Sequence, residues 1–238
     1  MVPHVPEQTD LKQIVGQLKE FLELQKDLGR KFLPWSKNNP GVSAALSPLP
    51  ADRIASLPDL SEALSLCRRC PLYKNRRQAV PGQGSSRARL MFFGAGPGRE
   101  DDQQGIPFAG PDGQLLTKMI QAIQLTREEV YITHLVKCRT PGDRRPTQTE
   151  IDACGFFLSE EIRLVDPGIL VALGDCAAQT LSRSNSKIAD LRGRRLDIRG
   201  RSLMATFHPA FLLTNPGAKR EAWEDLKKVR REYDGLEP

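Results

Sequence analysis

Nowhere in this chain does an apolar run approach the ~18 residues that a membrane span needs, and its first residues lack both the basic start and the apolar core of a signal peptide. Those absences predict a cytoplasmic protein that neither crosses nor enters a membrane. In a reducing compartment its five cysteines are not expected to form a disulfide framework. The glycine-rich stretch lacks the dinucleotide GxGxxG spacing, because Pro97 and Gly98 come too early, and it has no Lys-Ser/Thr pair to make a P-loop. What remains is a chain of 238 residues, 39% hydrophobic, enough to bury one substantial core and carry an appendage. A net charge of +6 and a pI near 9.2 fit a polyanionic partner without identifying it.

Taken in order, the chain opens with an amphipathic helix from Thr9 to about Leu28, its apolar residues spaced mostly by three and four. The stripe is to be covered by the main domain in cis or by a partner protein. Gly29 ends it, and Pro34, Pro40, Pro48 and Pro50 make the following stretch a linker. We therefore expect residues 1–56 to be an arm and 57–238 to be one domain. Within the domain, a helix from Leu57 to Leu72 precedes four apolar strands, at Leu90–Phe93, Val130–Val136, Ile169–Leu173 and Leu203–Phe207. Helices at Gln114–Leu125, Thr147–Leu164 and Lys219–Tyr233 separate or follow them. Thr147 with Glu150 three residues on reads as a capping box. Strands alternating with helices predict a parallel sheet covered on both faces.

The stretch from Leu90 to Gly113 organises the rest. A buried strand breaks at once into Gly94-Ala95-Gly96-Pro97-Gly98, where glycine permits tight turns and close backbone approach to a ligand. The acidic run Glu100-Asp101-Asp102 follows, and then Pro107-Phe108-Ala109-Gly110 sets one aromatic ring on a rigid turn before a helix beginning near Asp112. A flat ring beside exposed amides suits a flat, polar-edged ligand such as a base. Two cysteine pairs flank this segment, Cys67 with Cys70 and Cys138 with Cys154. Four thiolates can hold either zinc or an iron–sulfur cluster. Cys176 is left over and reads as a small core residue.

Several motifs now stand in order: C-x2-C-x-L at Cys67 to Leu72, the GxxPG loop at Gly94 to Gly98, and QGxPFxG at Gln104 to Gly110. VYIT at Val130 to Thr133 then runs into KCRxPG, followed by LG at Leu173-Gly174 and HPAxLL at His208 to Leu213. Together they resemble the iron–sulfur branch, family four, of the uracil-DNA glycosylase superfamily, over roughly Leu57 to Tyr233. The resemblance implies a three-layer α/β/α fold on a four-stranded parallel sheet, a [4Fe-4S] cluster on Cys67, Cys70, Cys138 and Cys154, and excision of uracil from DNA in base excision repair. It implies that Phe108 stacks on the extruded base and that His208 donates to the departing base oxygen. Residues Gly94, Ala95, Gly96, Pro97 and Gly98 would frame the pocket, with His134 on the base edge, while Phe211, Leu212 and Leu213 wedge into the stack. From their charge alone, Arg139 and Lys219 are expected to meet phosphate. Arg76, Arg77 and Arg144 are further basic candidates for phosphate.

Three family residues differ here. The loop that usually reads GEAPG has Ala95 in place of glutamate, and the strand that usually continues into asparagine has His134; Thr214 also replaces an arginine. An imidazole offers at most one donor and one acceptor where an amide offers both side by side. The expected substrate is therefore DNA containing uracil or another deaminated base. The alternatives are a lesion-binding module of the same fold without turnover, and a zinc-bound nucleic-acid adaptor.

Overall fold

The computed structural model describes residues 54–236. The expected N-terminal helix and most of the linker lie outside the described residues. Helix α1, Leu57–Ser65, starts where the Ser56 hydroxyl accepts from the Asp59 amide. It stops well short of Leu72. Cys70, preceding Pro71, is extended at φ −140 and ψ 162, because the proline ring disfavours a helical residue before it, and a separate 3-10 turn covers Pro71–Lys74.

There follow β1 (Gln83–Gly84), β2 (Leu90–Gly94), α2 (Arg99–Gln104), α3 (Pro111–Ala122), β3 (Tyr131–His134) and α4 (Gln148–Val165). Next come β4 (Ile169–Leu173), α5 (Gly174–Ser182), α6 (Ile188–Leu191), β5 (Arg195–Ile198), β6 (Arg201–Thr206), α7 (Pro209–Thr214) and α8 (Lys219–Asp234). The capping box at α4 forms as read, with Thr147 and Glu150 satisfying each other's backbone amides.

The sheet is six-stranded and mixed, in the order β1-β3-β2-β4-β6-β5, rather than four-stranded and parallel. The four expected strands pair in parallel at its centre, and β1 and β5 add antiparallel edges. Both edges escape a reading of apolar runs for physical reasons. β1 is two residues long, and β5 is a solvent-facing strand returning through Arg199-Gly200, both at positive φ.

Side chains alternate across the central strands. Met91, Phe93, Leu170, Ala172 and Leu203 enter a core closed by α4 and α5. Leu90, Phe92, Ile132, Val171 and Met204 enter a second core closed by α3, α7 and α8. Leu60 and Leu64 of α1 pack on Phe157 of α4. Because β2, β3, β4 and β6 run parallel, their C-terminal ends share one edge of the sheet, where open α/β sheets bind ligands. Among the described residues no helix is long and apolar enough to cross a membrane.

Candidate active site and thiol cluster

Gly94 and His134, the last residues of β2 and β3, lie opposite each other in register. His134 is buried, and its ring is held by the Asp101 carboxylate at 2.9 Å through Nε2, not by backbone hydrogen bonds. Asp101 stands in the first turn of α2 and is itself 4% exposed. It also accepts from the amides of Phe108 at 3.0 Å and Ala109 at 2.8 Å. Burial alone would raise its pKa, but the His134 hydrogen bond and those two amides carry it below the usual carboxylate range. One ionised side chain thus ties α2, the aromatic turn and the end of β3 together.

Phe108 has φ +55, in the left-handed region that a phenylalanine rarely adopts. Asp101 holds its amide, and Arg127 donates to its carbonyl and to that of Pro107. Gly113 allows the close approach of α3, since a Cβ there would fall 1.7 Å from the Phe108 carbonyl oxygen. The Phe108 ring stacks on His134 with centroids 4.6 Å apart and lies 5.5 Å from the His208 ring. Only 2% of Phe108 is exposed, so in the free protein its faces are covered by neighbouring side chains.

His208 caps α7, its Nδ1 accepting from the Ala210 amide at 3.2 Å. That bond leaves the ring proton on Nε2. Burial, the largest cause, lowers the His208 pKa to about 4 against a smaller opposing pull from Asp101. His208 is therefore a neutral imidazole with one N–H to donate. Gly174, at the end of β4, makes room for it, because a Cβ there would stand 3.0 Å from the His208 Cβ.

Of the glycine loop, Gly94 and Pro97 are buried, and Ala95, Gly96 and Gly98 are partly exposed. A Cβ on Gly94 would lie 2.4 Å from His134 Nδ1 and 2.7 Å from Phe108 Cζ, and one on Gly96 would meet Val136 at 2.8 Å. Beyond His208, Phe211 and Leu213 are exposed on α7, whereas Leu212 turns into the core with 1% exposed. The run proposed as a wedge thus presents two side chains and buries the third. Arg139 is paired with Asp143 and Arg144 with Glu150, while Lys219 and Arg77 are exposed. A groove of about 690 Å³ lined by Ile123, Trp223 and Arg230 lies at the other end of α3 from Phe108 and contains none of these residues.

The four cysteines of the two pairs are neighbours. Burial raises Cys70, Cys138 and Cys154, the last to about 12, and charge on Cys67 raises each of them further. Among the described residues no three His, Cys, Asp or Glu converge as one metal ion requires. Arg76 donates to Cys138 Sγ at 3.1 Å and to the Ser65 carbonyl at 2.7 Å, and the Lys137 amide donates to Cys154 Sγ at 3.3 Å. Arg76 is thus committed to the sulfurs and not to phosphate. Cys176 is a buried free thiol, as read.

Asp101, Arg127 and Gly174 had no individual role in the sequence reading. Asp101 sits in an acidic run that looks like a solvated helix start, and nothing local in the sequence signals a partner 33 residues away.

Comparison with known proteins bears on the same segment. The profile described as the uracil DNA glycosylase superfamily matches residues 81–227. A type-4 uracil-DNA glycosylase of Archaeoglobus fulgidus is 37% identical over 187 residues, covering 73% of this chain and 92% of its own. Those of Thermotoga maritima and Saccharolobus solfataricus are each 39% identical, over 175 and 180 residues, covering 72% of this chain and 91% and 83% of their own.

Proposed function

The chain belongs to the uracil DNA glycosylase superfamily, and we propose that it hydrolyses the N-glycosidic bond of uracil, or of a related deaminated base, in DNA. The observation that carries this reading is the neutral His208 at the mouth of β6, with its one remaining N–H free to donate. Cleavage leaves negative charge on the base and positive character on the sugar, so the main task is to stabilise a departing anion. With Nδ1 accepting from Ala210, the neutral imidazole keeps its N–H at Nε2, where it donates a hydrogen bond to the base oxygen. The amides of Gly94 to Gly98 frame the same space, Phe108 supplies a ring for the base, and His134 meets its edge.

An extruded nucleotide leaves a gap in the stack, and the exposed Phe211 and Leu213 are placed to fill it. Lys219, exposed at the start of α8, supplies phosphate contact, with Arg139 contributing once it parts from Asp143. Cytoplasmic residence and an arm over residues 1–56 belong to the same proposal.

Cys67, Cys70, Cys138 and Cys154 would hold a [4Fe-4S] cluster. Four neighbouring thiols, two before β1 and two after β3, are the donor set that such a cluster takes. N–H donors to Cys138 and Cys154 are the outer hydrogen bonds such sulfurs take. Bound there, it would supply a structural cross-link between the segment before β1 and the loop after β3.

The test is release of free base from a uracil-containing oligonucleotide by the wild type and by His208→Ala. Binding without release in the wild type would leave a lesion-binding module in place of a glycosylase.

A further inference from the structure

His134 Nδ1 is a fully buried polar atom with no hydrogen-bond partner. A buried polar atom left unpaired is costly and is uncommon in a folded protein. Here it sits beside Gly94 and the tip of Phe108, where the base edge is to be met under the function proposed above. Its chemistry is settled by the other ring nitrogen. Nε2 faces Asp101, an ionised carboxylate that can only accept, so Nε2 carries a ring proton; nothing in the site accepts from Nδ1, which in the Nε2–H tautomer presents a lone pair. Asp101 cannot turn to suit another arrangement, because the amides of Phe108 and Ala109 hold both of its oxygens.

A lone acceptor selects a donor. Hydrolytic deamination converts cytosine, whose ring N3 is an acceptor, into uracil, whose N3 carries a hydrogen, and makes the same change at N1 of adenine to give hypoxanthine. We propose that the Asp101–His134 pair reads this shared mark: His134 Nδ1 accepts the ring N–H of a deaminated pyrimidine or purine and repels the ring lone pair of the parent cytosine or adenine. Asp101 is the positioning residue, acting through the tautomer it imposes. The Phe108 ring, now resting on His134, swings about its side-chain bonds to admit the base and closes over it.

Substrate range follows from this arrangement. Uracil and hypoxanthine both present that ring N–H beside the new carbonyl, so a single acceptor reads them alike.

The test uses the full-length protein with its cofactor and duplexes carrying 2′-fluorinated, non-cleavable uridine, inosine, cytidine or deoxyadenosine at one position, with affinity read by fluorescence anisotropy. The wild type should bind the uracil and hypoxanthine duplexes comparably, each at least about 10-fold more tightly than the undamaged pair, the scale set by leaving a buried polar group unpaired. Asp101→Asn lets an amide N–H face Nε2 and moves the ring proton to Nδ1, so the preference should collapse while affinity for undamaged DNA is kept. If that variant does not fold, His134→Phe, which removes the acceptor, serves, and should lose the same preference.

An unchanged preference in Asp101→Asn, or a wild type that rejects hypoxanthine as firmly as adenine, overturns the proposal. Because these duplexes are not cleaved, the outcome is separable from catalysis. Preference without base release would sink the glycosylase reading alone, and release with an unaltered preference would sink this one alone.

Discussion

Asp101 Oδ2 and His134 Nε2 stand 2.9 Å apart, joining the first turn of α2 to the end of β3 in a site where both residues are almost wholly buried. Asp101→Ala removes that acceptor and also orphans the amides of Phe108 and Ala109. Each buried group left unpaired costs about 1–3 kcal/mol, so we expect a loss of at least ~3 kcal/mol. A thermal melt checks this; an unchanged Tm would mean that the carboxylate holds nothing.

His208→Ala should lower the rate of base release by ~10²-fold or more, as expected for deleting one donor to a developing anion. Because the folded pKa of about 4 lies below the ordinary 6.5, the ring stays neutral throughout the physiological range. A pH–rate profile should then show no inflection near 6.5. The sign for stability agrees. A histidine with a depressed folded pKa contributes above its unfolded pKa, and that contribution fades as pH falls from about 6.5 toward 4.

Gly94 and Gly98 belong to one loop and should respond oppositely to alanine. A Cβ on Gly94 collides with His134 and Phe108, whereas one on Gly98 meets nothing within 4 Å, and Gly98 has φ −82. Gly94→Ala should cost about 1–3 kcal/mol, the usual range for overpacking, and reduce base release. Gly98→Ala should melt like the wild type. Equal melting of the two variants would contradict the packing described for this loop.

Arg76→Gln should leave the salt dependence of DNA binding unchanged, since the guanidinium is engaged by Cys138 and Ser65. It should instead hasten loss of the visible absorbance of the proposed cluster in air. Lys219→Ala should do the reverse, flattening the slope of affinity against salt by about one phosphate contact.

On α7, neighbouring residues separate stability from DNA engagement. Leu212→Ala should cost about 2–5 kcal/mol, as deletion of a buried leucine does, while Phe211→Ala should melt normally and bind lesion-containing duplex less well. Denaturant unfolding combined with anisotropy on the same two proteins decides between them.

The central architecture was legible in the chain because continuous apolar runs and helical spacing are local signals. β4 coincides with its expected span, and α4 begins at the capping box read from Thr147 and Glu150. The edge strands were not legible, since two residues at β1 and a half-exposed β5 bury too little apolar surface to leave a pattern. The candidate site divides in the same way. Glycine, proline, cysteine and histidine at strand exits stand out in a sequence because their chemistry is unusual wherever they occur. Which nitrogen of His134 bears a proton, that His208 is neutral, that Leu212 faces inward and that Arg76 serves a sulfur all depend on contacts between segments distant in the chain. Hydrogen bonds and desolvation act over a few ångströms of space, and only the folded sheet brings α2, β3 and α7 within that distance.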